Sequence, residues 1–310
     1  MSEFWSGDPP AAMSTRYRRQ DLEAAFNRFS EFILLGEGGF GAVFAVWDRV
    51  RKQYVALKLS ADKGDALYRK RFEREYEILR IVHSPRLVAV YDSGSCRIRI
   101  ADGTLDSHLW YTMERCASSI DSELSRLKLP ERVRLCLEML DGISALHEHD
   151  IAHRDIKPKN LFLAEDDELK IGDFGIARDT ARNGTEPTPS SQAAIGTYEY
   201  LAPERWRGEE GGKEDWRPSD QYAAGVTVFK LLSRGKDPLD FGAGNMFACL
   251  NAHLTGQVRH IGIPEHPGVP FRAVDKVIAK MLAKEPTKRY PTIARCKREF
   301  ESALKMHGLA

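Results

Sequence analysis

Between positions 31 and 59 the apolar residues fall in short strand-like runs, and after Arg115 they recur at helical spacing; that change of period constrains the fold more than any other feature. Phe32-Ile33-Leu34-Leu35, Ala42-Val43-Phe44-Ala45-Val46-Trp47 and Tyr54-Val55-Ala56-Leu57 are separated by glycine or charged turns, the pattern of an antiparallel meander. Residues 68–82 switch to a helical stripe of Phe72, Tyr76, Leu79 and Val82, and strand character returns at 87–90 and 109–113. Further on, Val133, Cys136, Leu137, Leu140, Ile143 and Leu146 predict an amphipathic helix. Residues 220–233 are apolar nearly all round, so that helix must be buried, and Gly235 is placed to cap it. Residues 274–282 and 293–304 also read as helices, whereas 95–107 reads as a long polar connection and 182–192 and 208–218 as mobile surface loops. The expected class is α+β: a small antiparallel β part with one main helix, then a larger, mostly helical part.

The 310 residues suffice for one bilobal domain or two domains. A formal net charge of +1 provides no global field for nucleic acid or an anionic membrane, so neither is expected as a partner. The five cysteines (Cys96, Cys116, Cys136, Cys249, Cys296) are widely spaced and read as reduced thiols of a cytoplasmic protein. The longest nearly apolar run, from Tyr222 to Leu232, is broken by Thr227 and Lys230 and falls short of the ~20 residues that span a bilayer. Residues 1–29 form an accessory segment, with Leu22, Ala25, Phe26 and Phe29 at the spacing of an amphipathic helix docked on its neighbour.

Chemistry concentrates in His153-Arg154-Asp155-Ile156-Lys157-Pro158-Lys159-Asn160 and in Asp173-Phe174-Gly175. Asp155 can take a hydroxyl proton, Lys157 can neutralise a phosphoryl group, and Asn160 and Asp173 can offer hard oxygens to Mg²⁺. Upstream, Gly36, Gly38, Gly39 and Gly41 lie in a G-x-G-x-x-G-x-V run ending at Val43, where missing side chains let backbone amides approach phosphate oxygens. A dinucleotide-binding turn would be followed directly by a helix; here strand pattern continues through Trp47. Lys58 follows, and three glutamates compete to pair with it: Glu73, Glu75 and Glu77. At about 100° per residue Glu75 shares the face of Phe72, Tyr76 and Leu79, so Glu75 is the expected partner.

In this order and spacing the motifs resemble a eukaryotic-type (Hanks-type) Ser/Thr protein kinase catalytic domain of the kind found in bacteria, over about residues 30–304. The resemblance implies a bilobal fold with an N-lobe over 30–115, a C-lobe over 116–304, a tail at 305–310 and Mg-ATP in the cleft. It makes Lys58, Glu75, Asp155 and Lys157 catalytic and Asn160 and Asp173 metal ligands, with Met113 as gatekeeper. The backbone of Glu114 and Cys116 would meet the adenine edge, and Val43, Ala56 and Phe162 would enclose the base. Asp220 would hold the catalytic loop through its backbone, and Glu204 would pair with Arg289. Thr197 would help position substrate, while Ser191, with Ser190 and Thr188 as neighbours, would be an activating phosphosite drawn to Arg154.

The segment from Gly196 to Glu204 implies a polypeptide acceptor, and Lys157 with Thr197 a serine or threonine hydroxyl. The expected activity is therefore ATP- and Mg²⁺-dependent phosphorylation of protein Ser/Thr, with transient self-association for autophosphorylation. A nucleotide-binding pseudokinase scaffold and a small-molecule kinase are the competing readings.

Overall fold

The computed structural model describes residues 14–38, 41–61, 66–174, 178–179, 198–206, 215–242 and 245–309. In chain order the elements are α1 (Arg19–Ala25), β1 (Phe29–Gly38), β2 (Gly41–Asp48), β3 (Gln53–Ser60), α2 (Ala66–Ile81), β4 (Val90–Arg99), β5 (Leu105–Met113), β6 (Ser118–Ser119) and α3 (Ile120–Glu123). There follow α4 (Leu129–Glu148), β7 (Ile151–Ala152), β8 (Leu161–Leu163), β9 (Leu169–Ile171), β10 (Arg178–Asp179), α5 (Pro203–Trp206), α6 (Arg217–Leu232), α7 (Met246–Thr255), α8 (Arg272–Met281) and α9 (Ile293–Met306). The chain divides into two compact units, Met1–Ser122 with Phe162–Gly175, and Glu123–Leu161 with Ile176–Ala310. This is the α+β division that the sequence leads one to expect, one unit mostly sheet and the other mostly helix.

The first unit is built on a five-stranded antiparallel sheet in the order β1-β2-β3-β5-β4. One face packs on α1 and the residues around it: Tyr17, Leu22, Phe26 and Phe29 join Phe32, Phe44, Val46, Leu57 and Ile98 in one buried cluster. The accessory helix is docked as its stripe predicts, although Phe29 opens β1 instead of closing the helix. Asp48 fastens this corner, accepting the N–H groups of Val50 (2.9 Å) and Arg51 (3.2 Å) in the β2–β3 turn and pairing with Arg28 at 2.6 Å.

The supposed polar connection at 95–107 is a β-hairpin. Strands β4 and β5 pair from Ser93↔Tyr111 out to Arg99↔Leu105. Because β4 is an edge strand, Ser95, Arg97 and Arg99 face water while Cys96 and Ile98 turn inward. The segment at 87–90 is mostly not strand: Leu87 makes a single parallel bridge to Ile171, and β4 begins at Val90.

In the second unit α6 is buried from Ser219 to Leu232, and α4, α8 and α9 pack around it and one another. Its end carries carbonyls with no helical partner. Two devices satisfy them: Gly235, at φ +89°, donates its N–H to Lys230 O at 2.7 Å, and the buried Arg132 of α4 donates to the carbonyls of Leu231 (3.0 Å) and Leu232 (2.8 Å). Residues 215–218, read as loop, run directly into α6, with Pro218 in its first turn where a missing N–H is harmless. Among the described residues no helix is long and apolar enough to cross a membrane.

Candidate active site

On the sheet unit, Lys58 projects from β3 into a cavity lined by Val43, Glu75, Leu79, Val88, Met113, Phe162, Gly172 and Asp173. Its ammonium donates to both oxygens of Glu75, at 2.6 and 2.7 Å, and lies 4.0 Å from the Asp173 carboxylate. Burial alone would lower the lysine's pKa, but the Glu75 and Asp173 charges outweigh it, so Lys58 stays protonated and its pKa rises above the ordinary value. Glu73 and Glu77 lie on the other face of α2, where they pair with Arg69 and Arg74 at 3.7 and 3.5 Å. Helical phase thus decides which of the three glutamates reaches the lysine.

Away from these charges the cavity lining is apolar: Val43, Met113 and Phe162 belong to one buried cluster with Ala56 and Cys116, and Ala56 is paired to Met113 across β3 and β5. Glu114 donates its N–H to Ala89 O at 2.7 Å, so its carbonyl is the backbone group it can offer a ligand. Strands β1 and β2 run paired through Gly36↔Val43 to Gly38↔Gly41. Gly41 sits at φ +137°, and a Cβ there would lie 1.8 Å from Leu59 O, so no other residue fits. Gly39 lies outside the described residues.

On the helical unit, the loop from His153 to Asn160 is suspended from α6. The buried Asp220 accepts the N–H of His153 at 2.8 Å and of Arg154 at 2.7 Å, and contacts His147 Nε2 at 2.9 Å. Burial pushes this carboxyl up, but the His147 hydrogen bond and neighbouring positive charge prevail and hold it below the usual range. Arg154 takes φ +72°, which turns the chain so that Asp155 is presented. The Asp155 carboxylate is held by Lys157 Nζ at 2.8 Å and Asn160 Nδ2 at 2.9 Å, while Nδ2 also donates to Asp155 O at 2.8 Å. With its nitrogen committed there, Asn160 has Oδ1 left for a cation.

The Glu204–Arg289 pair is bidentate, at 2.7 Å in both arms, and Arg289 also donates to the Pro218 and Ala283 carbonyls. Two partners were not foreseen. Lys230 bonds Glu199 at 2.5 Å and Asp237 at 2.7 Å, anchoring the segment that leads to Glu204; its signal was a lysine in a helix with no polar face. Trp216 receives the guanidinium groups of Arg154 and Arg205, each 4.1 Å from its ring centre. Thr188, Ser190, Ser191 and Thr197 lie outside the described residues.

A family model for the protein kinase domain matches residues 29–300. The chain is 30% identical over 263 residues to serine/threonine-protein kinase PknH of Mycobacterium tuberculosis (strain ATCC 25618 / H37Rv), covering 83% of this chain and 39% of that protein. It is 31% identical over 276 residues to the probable serine/threonine-protein kinase PknB of Bifidobacterium longum, covering 86% and 38%. To serine/threonine-protein kinase PknF of Mycobacterium tuberculosis (strain ATCC 25618 / H37Rv) it is 32% identical over 285 residues, covering 86% and 54%. The chain therefore spans about half, or less, of the length of these curated relatives.

Proposed function

This chain belongs to the protein kinase domain family, and from that premise we propose that it is a serine/threonine protein kinase that transfers the γ-phosphoryl group of ATP to protein hydroxyls. The observation that carries the reading is the Asp155 carboxylate, held between Lys157 and Asn160 on a loop that hangs from Asp220. A base so fixed meets the geometric demand of proton transfer before its pKa is considered.

Lys58, kept charged by Glu75, binds the α- and β-phosphates. The apolar walls around Val43, Ala56, Met113 and Phe162 suit a planar base, with the Glu114 carbonyl and the Cys116 backbone at its edge. Asp155 orients the acceptor hydroxyl and takes its proton, and Lys157 offsets charge on the transferring group. Asn160 Oδ1 and the Asp173 carboxylate are hard oxygen donors that fit Mg²⁺, which when bound would neutralise phosphate charge. The acceptors are protein serines and threonines, including the chain's own loop at Thr188, Ser190 and Ser191 through transient self-association; Arg154 and Arg205, gathered at Trp216, suit a phosphate there. The proposed site of action is the cytoplasm.

The test is incubation with labelled ATP and Mg²⁺, followed by mass-spectrometric identification of the labelled residues. Label on serine or threonine that disappears in the Asp155→Asn variant is expected. Nucleotide binding with no transfer, or label found only on a small-molecule acceptor, overturns the reading.

A further inference from the structure

The first described residues of the chain bind the glycine-rich segment. Glu37, between Gly36 and Gly38 near the end of β1, accepts from Ser14 Oγ at 3.2 Å on each oxygen, from Thr15 N–H at 3.1 Å and from Thr15 Oγ1 at 3.2 Å. Just beyond, the segment is firmly fixed. Tyr17 is buried and bridges Ile100, Ala101 N–H donates to Arg16 O at 2.9 Å, and Arg16 pairs with Asp106 at 3.3 Å. Residues 14–15 adjoin the anchored Arg16 and meet one carboxylate in the segment proposed to cover phosphates.

The two hydroxyls are not equivalent. Ser14 Oγ is half-buried and accepts the N–H groups of Arg16 (3.1 Å) and Tyr17 (2.9 Å), so it is part of a turn. Thr15 is exposed, on a bend, and its hydroxyl donates to Glu37. The nearby guanidinium groups are already engaged: Arg16 with Asp106, Arg18 with Ala101 O at 3.0 Å, Arg19 with Glu23 at 2.8 Å.

We propose that Thr15 is an autophosphorylation site whose phosphoryl group unlatches residues 14–15 from Glu37 and so loosens the grip of the glycine-rich segment on ATP. This rests on the kinase reading above. In the step, the Thr15 Oγ1–phosphorus bond forms as the bond from the γ-phosphorus to the β–γ bridging oxygen breaks, ADP leaves with that electron pair, and the hydroxyl proton passes to Asp155. The product carries about −1.5 to −2 charge where the hydroxyl had donated to Glu37. A donor–acceptor contact becomes a like-charge contact, and Glu37 loses its hold on residues 14–15.

The experiment has two parts. The full chain and its Asp155→Asn variant are incubated with Mg-ATP and casein as a generic acceptor, and phosphate on Thr15 and on casein is mapped by mass spectrometry. Phosphate on Thr15 in the unmodified protein and none in the variant is expected. If casein is phosphorylated while Thr15 stays bare, the site is overturned and the kinase reading survives; if neither is phosphorylated, the kinase reading falls and takes this inference with it. Steady-state kinetics then compare Thr15→Glu with the Thr15→Glu/Glu37→Gln double variant. Loss of one or two hydrogen bonds should raise KM for ATP about three- to tenfold in Thr15→Glu, with kcat changed less than about twofold, and Glu37→Gln should restore it. An unchanged KM, or a rise that Glu37→Gln does not relieve, overturns the latch, and matching thermal unfolding midpoints exclude misfolding as its cause.

Discussion

Lys58 is hydrogen-bonded by one side chain, whereas Asp155 sits on a backbone that is itself held. On the sheet unit a buried lysine from β3 meets a buried glutamate from α2, and the 2.6 Å contact lasts only while the helix keeps its place. On the helical unit the buried Asp220 takes two backbone N–H groups of the His153–Asn160 loop, and Lys157 and Asn160 then fix Asp155 from within the same loop. The first arrangement can be made or broken by a small shift of α2. The second is bound to α6, the most buried helix of its unit, and moves only if the core does. Adjustable charge is thus placed at the proposed phosphate-binding lysine and rigid charge at the proposed base.

The largest effect should come from Asp155→Asn, which keeps the shape of the loop and removes the proposed proton acceptor. Turnover is expected to fall by about 10²- to 10⁴-fold with nucleotide affinity nearly kept, as measured by kinetics beside titration with a non-hydrolysable analogue. Near-normal turnover would remove Asp155 from the mechanism and with it the idea of a rigid base.

Asp220→Ala attacks the suspension itself. It leaves the His153 and Arg154 amides buried without their carboxylate, and the cost should be about 3–5 kcal/mol of stability in denaturant unfolding. A loss under about 1 kcal/mol would show that the loop is held by other means.

Acid should load the helical unit through His253. Its Nε2–H donates to Tyr198 O and its Nδ1 accepts from Tyr222 O–H, both at 2.8 Å, and burial lowers its pKa from 6.5 to about 4. Between those values the unfolded chain binds a proton that the folded chain refuses, so stability falls as pH drops from 6.5 to about 4, by up to ~3 kcal/mol. Unfolding curves across this range should show the loss, and His253→Gln should flatten it. Asp220 acts lower: its depressed pKa contributes stability that is present above 3.8 and lost as pH falls below it.

The smallest effect distinguishes neighbours on one helix. Glu75→Gln keeps a hydrogen bond to Lys58 and loses the charge, which should lower turnover about five- to tenfold, while Glu73→Gln and Glu77→Gln change it less than about twofold. Greater damage from either outer glutamate would mean that α2 presents a different face during turnover.

The placement of Glu75 shows what periodicity can do: one stripe of Phe72, Tyr76 and Leu79 sufficed to pick it from three, because a helix converts sequence spacing into direction. The β4–β5 hairpin shows where the same reasoning failed. Its alternation was present in Cys96 and Ile98 against Ser95, Arg97 and Arg99, but on an edge strand half the side chains are polar and the run resembles a loop. Lys230 and Trp216 were seen only as an interruption and as part of a polar stretch. Their partners, Glu199 and Asp237 for one and Arg154 and Arg205 for the other, become neighbours only when the chain folds.

By itself the sequence determined the order of sheet and helix, the burial of α6, the chemical identity of the candidate site residues and the choice of Glu75 as the partner of Lys58, since each depends on residue type or on spacing within one element. The tertiary structure decided the rest: which two N–H groups Asp220 takes in the hold on the loop that the resemblance implied, that Arg132 closes the end of α6, and that Ser14 and Thr15 lie against Glu37. Those contacts join residues 22 to 100 positions apart, where direction depends on packing between elements and no local period carries it.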